Sequence, residues 1–382
     1  MLLSYTAFRE RKANKKIYII CKKIKIKKLV FQKKKPANNI SISSDNEKLY
    51  ENIKEYTKLT QVLANINTSV TNMCVRNPNL YNDKDVRKVL YLGDFAKTLH
   101  DSLIDYLSLI DFIGKECMVN NCDTAEKIKL NCIYEDFLVK KYFHDECGNE
   151  LLLSATIGNS DIYSANIGIK RLNMVEPEKR FRFKKIPSTF DFSRSPIYFL
   201  PNYKMSYKEK DTNLPIVSNL IYTLCDKHIN ERGIVQTGSF AFSNYLYEKA
   251  PKEIRKRLLI YNDSKIKGDL IWEYKNSKNK ILVGPSLTTG ISLDDDLCRF
   301  LIVMKVPYLS LGDKLVAAKM KNSQLWYSNQ TVINLQQGFG RGIRNPNDWC
   351  ISYVLDGCFS DLLRFNSHLF DREILDRIVY LQ

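Results

Sequence analysis

Short apolar runs alternate with amphipathic stretches from residue 188 to the end of the chain. The runs lie near residues 196–200, 233–237, 258–261, 281–284, 300–306 and 351–355. Continuous apolar runs of this length predict buried strands. The stretches between them predict helices, one of which places Ile216, Leu220, Leu224 and Ile229 on one face. Together the two patterns predict an α/β fold with a mainly parallel sheet covered on both sides.

Residues 37–147 show a different, helical period. Apolar residues recur three or four positions apart, at Leu49, Ile53 and Tyr56, at Leu59, Val62 and Leu63, and at Leu99, Leu103 and Leu107. This spacing predicts a helical domain ahead of the sheet. The tyrosines of this domain are expected in its core, with base stacking as the alternative, at Tyr50, Tyr56, Tyr91 and Tyr106.

The composition is that of a globular chain with a basic N-terminal segment. The chain has 382 residues and is 44% hydrophobic, which is ample for two or three packed domains. Residues 1–35 contain thirteen Lys or Arg against the single Glu10, so this segment holds +12 of the net charge of +17. The segment predicts a phosphate-binding arm. The alternative is a lysine-rich tail with no binding role, or the stub of a disrupted domain.

Hydropathy and cysteine content indicate the cellular compartment of the protein. No apolar run approaches the roughly 18 residues of a membrane span, and the first residues are too charged for a signal peptide. The ten cysteines show no regular pairing, which is typical of a reducing compartment. We therefore expect no membrane association and a cytoplasmic location, or a nuclear one in a eukaryotic host.

The segment Gln337–Arg344 carries the pattern Q-x-x-G-R-x-x-R. If the segment is helical, Gln337, Arg341 and Arg344 share one face, which the glycines leave open to a polyphosphate. Planar guanidinium groups suit this task because they bind phosphate oxygens in a bidentate way. The alternative is a helix that ends in a glycine-rich cap, with solvated arginines after it.

Three other segments precede this motif in a fixed order. They are Leu151–Ile157, which contains Ser154-Ala155-Thr156, then Gly233–Ser239, and then Ile281–Ser292. Each of the last two is an apolar strand that ends in hydroxyl residues. In this order the segments resemble helicase motifs III, IV, V and VI, and Ser188–Phe192 resembles the entry to a second motor domain. Residues 150–382 thus resemble the C-terminal portion of superfamily 2 DNA helicases of the XPD/DinG type.

The resemblance implies a RecA-like second motor domain that works with ATP and Mg²⁺ on single-stranded nucleic acid. It favours DNA over RNA as that nucleic acid. It implies that Arg341 and Arg344 act on the γ-phosphate, with Gln337 and Gly340 positioning them. It also places Gly290 and Ser292 at the nucleotide, and Ser154 and Thr156 in the coupling between nucleotide and strand.

The hydroxyl residues of motifs IV and V are implied to contact the nucleic acid. They are Thr237, Ser239, Ser286, Thr288 and Thr289. Local capping is the alternative, most clearly for Ser239, which could cap a helix beginning near Phe240.

The sequence departs from a complete motor. Gly114-Lys115 is followed by Glu116 and does not form the G-x-x-x-x-G-K-[ST] phosphate loop. Asp145-Glu146 follows no apolar strand and is expected to be a solvated turn. Motif V has Thr289 and Ser292 where the family carries acids. We therefore expect a separate polypeptide to supply the first motor domain; the alternative is a decayed, non-catalytic nucleic-acid-binding protein.

The cysteines and histidines do not predict a metal site. The set Cys117, Cys122, Cys132 and Cys147 lacks a C-x-x-C pair, so an iron–sulfur cluster is not expected. The four histidines are scattered. The predicted organisation is a basic segment (1–36), a helical domain resembling the family's arch (37–150), motif III with a linker (151–187), and the RecA-like domain (188–382).

Overall fold

The computed structural model describes residues 42–114, 118–120, 130–139, 143–144, 146, 150–170, 181–186, 188, 190–261, 267–287, 293 and 295–381. The basic N-terminal segment lies outside the described residues. Two compact units are present, one made of residues up to Phe137 together with Gly312–Ala318, and one of the remainder. Among the described residues, no helix is both long and apolar enough to cross a membrane.

The first unit contains a helical hairpin. Helix α1 (Ile42–Arg76) and helix α2 (Lys84–Ile113) are joined by a 3-10 turn at Pro78–Asn82. Asp83 caps α2, because its side chain accepts from the backbone N–H groups of Asp85 and Val86. This confirms the predicted helical region. A short antiparallel pair, β1 (Met118–Asn120) and β2 (Leu130–Cys132), and helix α3 (Asp136–Val139) follow it.

Buried apolar and polar contacts join the two helices of the hairpin. Ile53, Ala96 and Ile110 are buried, and the Asn67 amide donates to the Asp94 carboxylate at 2.9 Å. The tyrosine prediction is confirmed at Tyr50, which is 6% exposed, and is wrong at Tyr91, which is 58% exposed. Val62 is also exposed, so the buried stripe is narrower than the apolar pattern indicated.

The second unit is built on a seven-stranded parallel sheet, as predicted. Its strands are β3 (Ile197–Phe199), β4 (Gly233–Gln236), β5 (Leu258–Ile260), β6 (Ile281–Gly284), β7 (Phe300–Val303), β8 (Ile351–Val354) and β9 (Ile378–Tyr380). The spatial order is β5-β6-β4-β7-β8-β3-β9. The first six strands lie where the apolar runs predicted them. The edge strand β9 was not predicted; its middle residue, Val379, is 44% exposed.

Helices alternate with these strands. They are α4 (Ser160–Asn166), α5 (Lys210–Lys227), α6 (Phe240–Lys249), α7 (Lys252–Arg255), α8 (Lys267–Asn276), α9 (Lys314–Asn322), α10 (Gln324–Phe339), α11 (Cys358–Asn366) and α12 (Arg372–Leu375). A 3-10 turn at Phe192–Arg194 leads from the Ser188–Phe192 segment into β3. Two buried apolar clusters, which contain alternating residues of strands such as β6 and β7, form the core.

The predicted apolar face of α5 is wrong at Ile216 and at Ile229, which lies beyond the helix end, whereas Leu220 and Leu224 are half-buried against the core. Ile216 is 40% exposed and Ile229 is 55% exposed. The buried face is instead formed by Leu214, Val217, Ile221 and Cys225, with Ser218 and Tyr222. Apolar residues occur on both faces of this helix, so the sequence offered two stripes and packing against the sheet selected one.

Candidate nucleotide and nucleic-acid site

Two of the segments singled out in the sequence follow neighbouring strands at the carboxyl-terminal edge of the sheet. Motif IV follows β4 and motif V follows β6, and these two strands are neighbours paired in register, Gln236 with Gly284. The loop after β7 lies on the other side of β4. In open α/β sheets, ligands bind outside the carboxyl ends of the strands.

The loop after β4 is held by its own hydroxyls. The Ser239 side chain accepts from the Phe242 N–H at 3.2 Å and caps α6, which confirms the capping interpretation. The Thr237 hydroxyl is fully buried, donates to the Ser239 carbonyl at 3.0 Å and lies 2.7 Å from the Ser243 hydroxyl. Thr237 therefore shapes the loop in this structure, while Ser239 is the more accessible of the two.

The loop after β6 is described only in part. Ser286 is exposed just beyond the strand end. Thr288, Thr289, Gly290 and Ser292 lie outside the described residues, so their predicted contacts with nucleotide or nucleic acid stay predictions.

Lys305, which follows β7, is a candidate that the sequence pattern did not reveal. Its aliphatic stem lies against Gly238, within 3.1–3.3 Å of where a Cβ would stand, and Gly238 has a φ of +76°. Its Nζ lies 5.5 Å from the centroid of the Phe242 ring. Among the described residues, no carboxylate forms an ion pair with it. A partly exposed lysine here presents positive charge beside the loop after β4.

The arginine motif follows the end of a helix rather than lying on one. Helix α10 ends at Phe339, and Gly340 is its C-cap, with its N–H donating to the Gln336 carbonyl. Arg341 and Arg344 therefore lie in a turn and do not continue the helical face of Gln337. Arg341 is 4% exposed, whereas Arg344 is exposed. The shared exposed face predicted for a helical segment is wrong, because the glycines end the helix first.

The two arginines influence each other. Burial, and then the positive charge of Arg344, lower the pKa of the Arg341 guanidinium. Two like charges in this turn favour an anion, because an anion offsets both the desolvation and the repulsion. Guanidinium groups are donors suited to the oxygens of a polyphosphate.

Asp348 fixes the backbone of this turn. Its buried carboxylate accepts from the N–H groups of Arg344 at 2.9 Å and Asn345 at 3.2 Å. The Arg299 guanidinium lies 3.4 Å away on the other carboxylate oxygen. Gly342 lies against Cys350 and the Cys298 carbonyl, so closely that an added Cβ would stand 2.4 Å from the Cys350 sulfur. The arginine turn is thus tied to both β7 and β8.

The Ser154–Asn159 segment is bound to the helix that leads into the arginine turn. The Gln337 amide donates to the Thr156 hydroxyl at 3.0 Å. The Ser154 hydroxyl accepts from the Thr156 N–H at 3.2 Å. The structure therefore brings motifs III and VI together.

Asp356 joins the strand ends. It is 1% exposed and accepts from the N–H groups of Met205, Val306 and Cys358 at 2.8–2.9 Å. These residues follow β3, β7 and β8. The apolar pattern predicted a strand near residues 351–355 but assigned no role to Asp356 directly after it, because nothing local marks its two distant partners.

Among the described residues, no cluster of three or more His, Cys, Asp or Glu could hold a metal ion. Cys132 is described and buried, whereas Cys117, Cys122 and Cys147 lie outside the described residues. Glu146 is exposed in a turn, and Asp145 lies outside the described residues.

Comparison with known proteins relates this part of the chain to helicases. Residues 221–368 match the helicase C-terminal domain family. The chain is also similar, at distant homology, to helicases named XPD and CHL1.

Curated relatives agree with this assignment. The chain is 24% identical over 233 residues to ATP-dependent DNA helicase YoaA of Escherichia coli, a match that covers 57% of this chain and 34% of the relative. It is 33% identical over 98 residues to ATP-dependent DNA helicase CHL1 of Candida albicans, which covers 21% of this chain and 12% of that protein. The chain therefore spans about a third or less of these relatives.

Solved structures show the same fold. The structure designated XPD_APO superposes with a TM-score of 0.51 at 14% identity, covering 78% of this chain and 63% of that one. XPD_Helicase gives a TM-score of 0.51 at 13% identity, covering 98% and 62%.

Proposed function

We propose that this chain supplies the second motor domain of an ATP-driven DNA helicase, whose ATPase site is completed by a first motor domain on a separate polypeptide. The observation that carries the proposal is the contact between motifs III and VI, where Gln337 binds Thr156 beside the arginine turn. The match to the helicase C-terminal domain family and the DNA-helicase names of the relatives support it.

In this proposal the arginine turn acts on the terminal phosphate of ATP. Arg341 and Arg344 stabilise the charge of the transferred phosphoryl group, which is the task of arginine fingers. Asp348 and Gly342 hold the turn, and Gln337 and Gly340 set where it begins. Gly290 and Ser292 lie at the nucleotide. The first motor domain would supply most of the ligands of Mg²⁺, which would neutralise the phosphates.

Single-stranded DNA is the proposed second partner. Its phosphates contact the loops after β4 and β6 through Ser239, Ser286, Thr288 and Thr289, whereas the buried Thr237 holds the first of these loops in shape. Lys305 adds a positive charge beside the same loops, which is the usual means of binding a nucleic-acid backbone. Ser154 and Thr156 carry the nucleotide state between the two partners.

The proposal first predicts that the purified chain hydrolyses no ATP above background, with or without single-stranded DNA. Most of the catalysis in such sites comes from positioning by Mg²⁺ and the lysine of the phosphate loop, which these 382 residues do not contain. Phosphate release from contaminant-free protein measures this.

Two comparisons make this measurement decisive. Activity should appear when a polypeptide that carries the phosphate loop and the Asp-Glu motif is added. Robust turnover by the chain alone would refute the division of labour. A folded, interacting partner that restores no activity would instead favour a non-catalytic DNA-binding protein, consistent with Thr289 and Ser292 in place of acids.

A second prediction concerns the basic segment. Deleting residues 1–35 should weaken binding to single-stranded DNA and flatten its dependence on salt, because each phosphate contact contributes a slope of about −0.7 in log K against log salt. Fluorescence anisotropy of a labelled oligonucleotide across a salt series measures the slope.

A charge-matched control separates charge from length. A variant with the lysines and arginines of residues 1–35 replaced by glutamine should behave like the deletion. An unchanged slope in both variants would show that this segment has no part in binding.

A further inference from the structure

The loop Thr156–Asn159 lies along one stripe of helix α10. Thr156 contacts Gln337, Gly158 contacts Ile333, and Asn159 contacts Asn329. The three helix residues are spaced four apart and therefore lie on one face. The loop runs antiparallel to the helix, so each of its contacts is one turn further from the arginine turn.

Asn329 is the buried end of this stripe. It is 2% exposed, and its side-chain oxygen accepts from the Asn159 N–H at 3.3 Å. The Asn159 side chain in turn caps α4 by accepting from the N–H groups of Asp161 and Ile162. One asparagine on α10 therefore fixes both the end of the loop and the start of the next helix.

Gly158 shows how closely the loop is seated. Its φ is +77°, and an added Cβ would stand 2.7 Å from the Ile333 Cδ1 atom. The backbone thus passes directly over the helix, in a conformation that side chains other than glycine rarely adopt. The fit at this point leaves the loop little room to shift along the stripe.

We propose that Asn329 is a positioning residue that fixes the Ser154–Asn159 loop to helix α10, so that the loop and the arginine turn move as one body. The functional meaning of this coupling rests on the proposed function. Asn329 does not touch the nucleotide; it acts through the loop. Motif III then follows any displacement of the turn that begins at Gly340.

Hydrogen–deuterium exchange in the full chain tests the positioning directly. Asn329→Leu removes the acceptor at similar size and leaves the Asn159 N–H without this hydrogen bond, so amides in residues 154–160 should exchange about tenfold faster. Asn329→Asp keeps an oxygen acceptor and should restore slow exchange. The control Asn334→Leu, a half-buried asparagine of the same helix outside the stripe, should match the wild type.

A substitution in the loop, rather than in the helix, tests the same contact. Gly158→Ala introduces the clash with Ile333 and a disfavoured φ, and should also speed exchange in residues 154–160 while global unfolding changes little. This variant keeps the test valid if Asn329→Leu folds poorly. Unchanged exchange in both variants, or fast exchange in Asn329→Asp, would overturn the assignment.

Binding of inorganic tripolyphosphate, used as a probe, tests the proposed nucleotide role separately from the positioning role of Asn329. In the wild type, the probe should bind the arginine turn and slow exchange in the loop; in Asn329→Leu, it should slow exchange only in the turn. No response of the wild-type turn to the probe would count against the proposed nucleotide role. The positioning role of Asn329 would then be decided by the variants alone.

Discussion

Replacing Arg341 or Arg344 with alanine is expected to lower kcat for ATP hydrolysis on the order of 10³-fold, once the chain is assembled with a first motor domain. Both guanidinium groups belong to the turn after α10, where Arg344 is exposed and contributes to the lowered pKa of Arg341. Removing either one withdraws positive charge from the transition state. Single-turnover phosphate release by the assembled pair measures the effect.

Two controls define the expected result. Arg372→Ala removes a guanidinium that is 92% exposed and only loosely paired with Asp376, and should leave kcat unchanged. Affinity for single-stranded DNA without nucleotide should change little in all three variants. Full activity of both Arg341→Ala and Arg344→Ala would refute the arginine-finger assignment.

Asp356→Ala is expected to destabilise the folded chain by about 3–5 kcal/mol, since it leaves three backbone N–H groups without their acceptor. These groups belong to Met205, Val306 and Cys358, and the Met205 and Val306 bonds are buried. The change should appear as a lower midpoint of urea unfolding, measured by circular dichroism.

Asp361→Ala is the matched control for this experiment. Asp361 is a half-exposed aspartate of α11 that pairs with Lys204 at 2.9 Å, and exposed ion pairs of this kind contribute about 0–1 kcal/mol. Equal midpoints for the two variants would mean that Asp356 does not hold the strand ends together.

The fold followed closely from the apolar pattern. Strands β4 and β6 are fully buried along their length, so their sequences are continuous apolar runs that the pattern could locate. Strand β9 was not predicted because it is short and lies at the sheet edge, where Tyr380 is 62% exposed. An edge strand of three residues has no burial pattern to distinguish it from a loop.

The site was predicted less completely, because its geometry depends on where helices end and on distant partners. The pattern around Arg341 was recognisable, but Gly340 ends α10, which places the arginines in a turn. The contact between Thr156 and Gln337 was not predicted, because the two residues are 181 positions apart in the sequence. Asn329 and Lys305 belong to no motif, and their partners are set by tertiary packing alone.

The position of β3 in the sheet has a consequence for how the chain is made. Ile197 pairs with Ser352 on one side and with Ile378 on the other, so the first strand of the sheet in sequence finds both neighbours near the end of the chain. A nascent chain on the ribosome must therefore carry an unpaired, apolar β3 until β8 and β9 emerge. Such long-range pairing slows folding and leaves a strand edge open to aggregation. The carboxyl-terminal strands complete the sheet, and chaperone dependence should be greatest before they are synthesised.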